Sequence, residues 1–183
     1  MKSGKIESIL RVGMFMTLFG ILGMPSARAE DAKDTQALLE ALSKSKLTLA
    51  EGLRQATQGG AVPISAKFEL EDGKLSLSVY TAEKGLSVPP EKNVLEELSG
   101  SPEEPQWMPK VEVFKDVPHV ARSSEQLTLM ALGNTSLVNA IARAQKAQPG
   151  TVFSVTPAIR NHKPVAEVLV ADKGKVKKII QPL

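Results

Sequence analysis

Two stretches of this chain alternate apolar and polar residues with the period of two that is typical of β-strands. In the first, the alternation runs through residues 62–70 and again through 75–79, with an Asp-Gly pair at 72–73 between them. An Asp-Gly pair between alternating runs indicates a tight hairpin. The second stretch, residues 152–174, aligns with residues 63–85 without a gap. The pattern therefore predicts two antiparallel hairpins.

A short amphipathic helix is predicted before each hairpin. The first helix begins at a capping box formed by Thr48 and Glu51, and the second ends at Pro149 and Gly150. Their apolar stripes are Leu49, Leu53 and Ala56 in the first helix and Leu137, Ile141 and Ala144 in the second. Because helix, turn and both strands recur in the same order, the sequence predicts an internal duplication.

The segments around these repeats are less regular. We expect a helix over residues 34–44, a short helix over 90–99, and a third strand of the first repeat limited to 86–88. A further strand is predicted over 110–115, with its valines pointing inward. A capping box at Ser123 is expected to begin the next helix.

These elements predict an α+β fold of two duplicated halves, each a helix on an antiparallel sheet, packed by a pseudo-twofold axis. The first half spans residues 30–100 and the second spans 124–183, and residues 101–123 form a linker with one strand. Since a half of roughly 65 residues is only marginally stable alone, we expect one joined core.

The duplication places Val79 and Val168 at equivalent sites on the two hairpins. Both are apolar residues in alternating runs, so we expect both to be buried against the helices. Their neighbours Ser78 and Glu167 are expected on the opposite face, where they would tolerate lysine.

The first 29 residues have the features of a signal peptide. Three basic residues precede an uncharged apolar run of 13 residues over 12–24, and the triplet Ala-Arg-Ala at 27–29 offers small residues at the positions that a signal peptidase reads. A helix of that length spans about 20 Å, short of a hydrocarbon core of about 30 Å. We expect a periplasmic or secreted protein, cleaved between Ala29 and Glu30, with no membrane span in the mature chain.

Removing this segment also removes the net charge. The whole chain carries 23 basic and 20 acidic side chains, and the excess of +3 lies within the first 29 residues. A neutral mature chain has no electrostatic footprint for nucleic acid. With no cysteine and two histidines, the sequence excludes a disulfide scaffold and a thiolate zinc site, and we expect neither a metal nor a cofactor. Export without cysteine favours a bacterial envelope protein.

The second repeat resembles the PepSY domain. The resemblance rests on the helix AIARAQKAQPG (residues 140–150) and the closing strands EVLVADKGKVKKI (residues 167–179). The matching residues are Asp172, Gly174 and Val176 in the second repeat and Tyr80, Glu83 and Gly85 in a degenerate first copy. PepSY domains occur in exported bacterial proteins and protease propeptides. The resemblance implies a domain without catalytic residues that binds or restrains peptidases.

We therefore expect an exported, non-enzymatic binding protein with a protein or peptide partner, acting as a modulator or inhibitor of a peptidase. An exposed edge strand of the sheet could accept an extended peptide. Trp107 and Met108, in a proline-bounded loop, are the candidate partner-binding residues. Trp107 alternatively closes the core where the linker crosses it.

Two other functions stay open. One is a ligand-binding or assembly factor for a cell-envelope component, which a deep polar pocket would favour. The other is a hydrolase built on Asp116, His119 and Ser123, the residue types of a catalytic triad. Against the hydrolase, these residues lie within one short connection, and Ser123 is better explained as a helix cap.

Overall fold

The computed structural model of this protein describes residues 25–57, 59–104 and 106–183. Within these ranges the helices are α1 (Pro25–Ala41), α2 (Leu49–Ala56), α3 (Val117–Leu132) and α4 (Leu137–Ala147). The strands are β1 (Val62–Glu71), β2 (Lys74–Ala82), β3 (Leu95–Gly100), β4 (Lys110–Val113), β5 (Thr151–Arg160), β6 (Lys163–Asp172) and β7 (Lys175–Pro182). The predicted α+β class is confirmed.

The predicted signal peptide lies mostly outside the described residues. Residues 1–24 are not described, and the backbone of 25–29 belongs to α1. Cleavage between Ala29 and Glu30 stays a prediction. None of the helices in the described part of the chain is both long and apolar enough to cross a membrane.

All seven strands form one antiparallel sheet in the order β4-β3-β2-β1-β5-β6-β7. Residues before α3 contribute the first four strands of this order, and residues after α4 contribute the last three. The two groups join at β1 and β5, where Ala66 lies opposite Val155 and Lys67 opposite Ser154. We call this short pairing the central seam.

The two hairpins have matching registers. The pair Val62–Ala82 of the first hairpin corresponds in the alignment to Thr151–Ala171 of the second. Each hairpin also has an irregularity at the aligned place in its first strand, between Pro63 and Ser65 and between Val152 and Ser154. Both turns use two consecutive residues with positive φ, at 72–73 and 161–162. Such turns match the right-handed twist of the flanking strands.

Helices α2 and α4 pack side by side on one face of the sheet. A Cβ atom added at Gly52 of α2 would lie 2.4 Å from Cδ2 of Leu77, so the helix approaches β2 as closely as a glycine allows. Alternate residues share a face of a strand, so Val79 points toward the same helix as Leu77. Val79 and Val168 are both fully buried, as predicted.

Helix α3 lies on the opposite face of the sheet. Its Gln126 accepts a hydrogen bond of 2.9 Å from the Ser65 hydroxyl, and Ser65 precedes Ala66 on β1. Ala66 pairs with Val79 and therefore belongs to the α2 face, whereas Ser65 points away from it. We call this side of the sheet the α3 face.

The start of α3 differs from the prediction. Asp116 caps the helix by accepting the backbone N–H of His119, and a proline occupies the first turn. The predicted capping box at Ser123 is wrong, since Ser123 is buried two turns inside the helix. The helix predicted over 34–44 is present, but α1 begins earlier and ends in a 3₁₀ turn over Leu42–Lys44.

The segment between the repeats was also predicted wrongly in part. A 3₁₀ turn over Pro90–Lys92 replaces the helix expected over 90–99, and the third strand of the first half is β3, not residues 86–88. The Asn93 side chain ends the turn by donating to the Gly85 and Val88 carbonyls, and the chain then pairs with β2.

The inward orientation predicted for the valines of β4 is wrong, and so is the surface position predicted for Ser78, although Ser78 does point to the face opposite Val79. Val111 and Val113 of β4 are exposed, not inward, because β4 is an edge strand beyond the reach of the helices. Ser78 is fully buried, so it is not a surface position that tolerates lysine. Its hydroxyl donates a hydrogen bond of 2.8 Å to Glu69 on the α3 face.

We expect Val79→Asp and Val168→Asp each to lower the free energy of unfolding by about 3–5 kcal/mol, because the new carboxylate has no partner in the core. The matched control is Val111→Asp, which lies in the same cross-strand row as Val79 but is 59% exposed. It should cost less than about 1 kcal/mol. Chemical denaturation followed by circular dichroism measures all three, and equal losses would contradict this placement of the core.

Candidate functional site

The two predicted partner-binding residues have opposite environments. Trp107 is 5% exposed and belongs to the core, and its indole N–H donates to the Gly100 carbonyl at 3.4 Å. The backbone N–H of Lys46 holds the same loop by donating to the Pro102 carbonyl. Trp107 therefore closes the core and presents no surface to a partner. Met108 is 78% exposed, just before β4.

Strand β4 forms an open edge of the sheet. In the described part of the chain it pairs with β3 alone, and all four of its residues are exposed. Val111 and Val113 point toward the α2 face, whereas Lys110 and Glu112 point toward the α3 face. The two valines therefore place exposed apolar side chains on one face of this edge, and the exposed Met108 precedes the strand.

The hydrogen-bond pattern shows which backbone groups of β4 face outward. The N–H of Phe114 donates to the Leu95 carbonyl at 3.0 Å, which makes these two residues a hydrogen-bonded pair. In an antiparallel ladder such pairs alternate with pairs that are not bonded to each other. Val111 and Val113 are therefore in the non-bonded positions, and their N–H and C=O groups point to the open edge.

The opposite edge strand of the sheet, β7, carries lysines that form ion pairs with β6. Lys177 bonds Asp172 at 3.0 Å, and Lys178 bonds Glu167 at 2.9 Å. At the end of the strand, the Arg143 guanidinium of α4 donates to the Pro182 carbonyl. Lysines and proline on an edge strand hinder pairing with another chain. The two edges of this sheet therefore differ in their ability to accept a strand.

A cluster of polar side chains occupies the α3 face of the first half. Carboxylate oxygens of Glu69, Glu71 and Glu97 lie within 4.8 Å of one another. Ser76 and Ser78 of β2 lie between these strands, and we call the five residues the acidic cluster. The Lys67 ammonium forms an ion pair with Glu69.

Within the acidic cluster, the Glu97 carboxylate is costly in its charged form. Burial and the neighbouring carboxylates of Glu69 and Glu71 raise the pKa of Glu97, against the hydrogen bond from Ser78 and the charge of Lys67. The pKa of Tyr80 is also raised, first because its phenol is buried and second because the negative charges of Glu97 and Glu69 lie nearby. Glu71, at the end of β1, is the exposed carboxylate of the cluster.

Of the predicted triad residues, Asp116 and His119 form the cap of α3, and Ser123 is buried inside that helix. Asp116 accepts the backbone N–H of His119 at 3.1 Å and contacts its ring Nδ1 at 2.7 Å. The backbone hydrogen bond is the largest cause of the lowered pKa of Asp116. The His119 ring stacks on Phe114 at 5.0 Å. Ser123 is 2% exposed, so a substrate does not reach its hydroxyl.

A concave region lies between α3 and the end of β7. Its walls include Leu132, Val165, Ile180 and Leu183, with Arg160 at one side. This concavity is broad, open to solvent and mostly apolar. It is not the deep polar pocket on which the ligand-binding alternative depends.

Sequence reasoning missed the acidic cluster. The signal was present in the two strands of the first hairpin. Lys67, Glu69 and Glu71 are alternate residues of β1, and Ser76 and Ser78 are alternate residues of β2. The glutamate of β3 was hidden because that segment had been assigned to a helix.

Comparison with known proteins adds no assignment. No protein-family model matches this chain, and no curated protein and no solved structure matches it either. The resemblance to PepSY domains therefore stays a prediction.

Replacing Glu97 by glutamine should stabilise the protein at pH 7 in metal-free buffer. A raised pKa in the folded state means that the charged carboxylate costs stability above the unfolded value of about 4.3, and the cost is absent at lower pH. The gain in thermal midpoint should therefore vanish as the pH falls below about 4.

The matched control is Glu96→Gln on the same strand. Glu96 points to the other face and accepts from the Thr81 hydroxyl at 3.1 Å, which glutamine can also do. This variant should change little. Destabilisation by Glu97→Gln at pH 7 would show that the carboxylate makes a net favourable contribution.

Proposed function

We propose that this protein is a non-enzymatic binding protein that takes up an extended segment of a protein partner along β4. The observation that carries the proposal is the outward direction of both backbone groups of Val111 and Val113, beside exposed apolar side chains. An added strand would satisfy these groups through main-chain hydrogen bonds. Each such bond is worth about 0.5–1.5 kcal/mol net.

The chemistry of β4 defines the partner segment. Its apolar residues would lie beside Val111 and Val113 on the α2 face. Its intervening residues would lie beside Lys110 and Glu112, which carry opposite charges. The expected ligand is therefore an extended peptide with apolar residues at alternate positions and polar residues between them.

The identity of the partner as a peptidase rests on the resemblance to PepSY domains. Peptidase modulation and export to the periplasm or the medium are therefore parts of the proposal that the β4 geometry supports only by supplying a binding edge. A peptidase surface or propeptide segment that offers an extended strand would fit this edge.

We also propose that the two halves arose by duplication and are related by a pseudo-twofold axis at the central seam. Support comes from the matching hairpin registers and from the aligned irregularities in β1 and β5. Ala66 and Val155 are aligned with each other in the repeat and lie opposite each other in the seam. Under this proposal β3 corresponds to β7, and β4 is an addition without a counterpart.

The test begins with a randomised peptide library displayed on phage and selected on the immobilised protein. Enriched sequences are titrated as synthetic peptides by fluorescence anisotropy. Val111→Pro removes the outward N–H, whereas Val111→Ala keeps it and removes most of the side chain. We expect the proline variant to bind about three- to tenfold more weakly than the alanine variant.

Ile180→Ala on β7 is the control for the other edge and should leave the affinity unchanged, since Ile180 is exposed far from β4 in the strand order. Equal affinities of the proline and alanine variants would contradict strand addition at β4. Selection of peptides without alternating apolar residues would contradict the proposed partner chemistry.

A further inference from the structure

We propose that the acidic cluster on the α3 face binds a divalent cation of the hard, oxygen-preferring kind, with calcium as the favoured ion. Three neighbouring strands bring its members together. Glu69 and Glu71 are alternate residues of β1, Glu97 lies on β3, and β2 between them supplies Ser76 and Ser78. This site contains no residue of β4, although Glu97 lies opposite Glu112 of that strand.

The second observation is the hydroxyl of Ser76. Ser76 lies directly opposite Glu69 in the β1–β2 register, so both side chains point to the same face. It is only 4% exposed, and its Oγ has no hydrogen-bond partner among the described residues. A buried hydroxyl without a hydrogen-bond partner destabilises the folded protein. A cation or its bound water beside Glu69 would satisfy this oxygen.

The donor set selects the class of ion. Every donor is a carboxylate or hydroxyl oxygen, with no nitrogen or sulfur, which suits calcium, magnesium or manganese. The three carboxylates lie within 4.8 Å of one another, so one ion can contact all three at calcium distances of about 2.3–2.6 Å. Magnesium is usually held by one or two carboxylates and several waters. Three carboxylates with two hydroxyls therefore favour calcium.

The Lys67 ammonium would compete with a bound cation for the Glu69 carboxylate. The ammonium pairs with Glu69 and lies 5.9 Å from the centre of the Tyr80 ring. A cation bound at Glu69 would meet the positive charge of Lys67 at close range, so binding requires the ammonium to move away. Removing the charge of Lys67 should therefore strengthen cation binding. Loss of an ion pair with a purely structural role would have the opposite effect on binding.

The experiment is a calorimetric titration of the protein with calcium chloride after treatment with a chelator, with magnesium chloride as the parallel probe. We expect one calcium per chain, weaker magnesium binding, and a higher thermal midpoint in calcium. Glu97→Gln should weaken calcium binding by at least about tenfold, and Glu96→Gln should not. Circular dichroism checks that each variant is folded.

Two further variants separate the cation site from a structural role. Lys67→Met should bind calcium more tightly than the parent protein. Ser76→Ala should keep or raise the thermal midpoint in chelator and reduce the midpoint increase caused by calcium. Absence of calcium binding by the parent protein, or unchanged binding by Glu97→Gln, would overturn the proposal. Equal or weaker binding by Lys67→Met would overturn the displacement of the ammonium.

Discussion

The structure depends on the burial of one apolar row that crosses the whole sheet. Cross-strand partners connect Leu98, Val79, Ala66, Val155 and Val168 in this order. The four residues from Val79 to Val168 are essentially inaccessible to solvent beneath α2 and α4. Neither hairpin could hide its share of this row alone, because two strands and one short helix bury too little surface. The requirement to cover the row forces both halves into a single core.

The other face of the sheet does not have to be covered by helices along its whole width. The positions of the candidate sites follow from this difference between the two faces. Helix α3 covers the sheet near Ser65 and extends toward the second half, where its Gly133 end meets Leu183. The first half carries the acidic cluster on this face, where Glu69 is partly exposed and Glu71 is exposed. At the margin of the same region, β4 extends beyond the helices and leaves its outer backbone groups accessible. The acidic cluster and the open edge of β4 therefore occur at the same end of the sheet.

Periodicity predicted the parts of the fold in which local and tertiary preferences agree. The two hairpins, α2 and α4 combine alternating or helical apolar spacing with clear turn and cap residues, such as Thr48 and the Asp-Gly pair at 72–73. Residues 90–99 show the opposite situation. Val94, Leu95 and Leu98 have helical spacing, but pairing with β2 outweighs this weak preference.

The candidate sites were less accessible to sequence reasoning for a geometric reason. The acidic cluster combines residues from three strands, and the order of those strands in the sheet is a tertiary property. The loop context of Trp107 is compatible with a partner surface and with the core. Its packing against the Gly100 segment shows that it belongs to the core. The outward backbone groups of β4 depend on its register with β3, which side-chain pattern does not specify.

The central seam also determines when the protein can fold during synthesis. Strand β1 finds one of its two neighbours in β5, far later in the chain, so a nascent chain that ends before β5 exposes an unpaired edge at the middle of the future sheet. Contacts between such distant segments carry a large loop-closure cost and slow the folding reaction. The first half must therefore remain incomplete, and prone to pairing with other chains, until the second half has emerged.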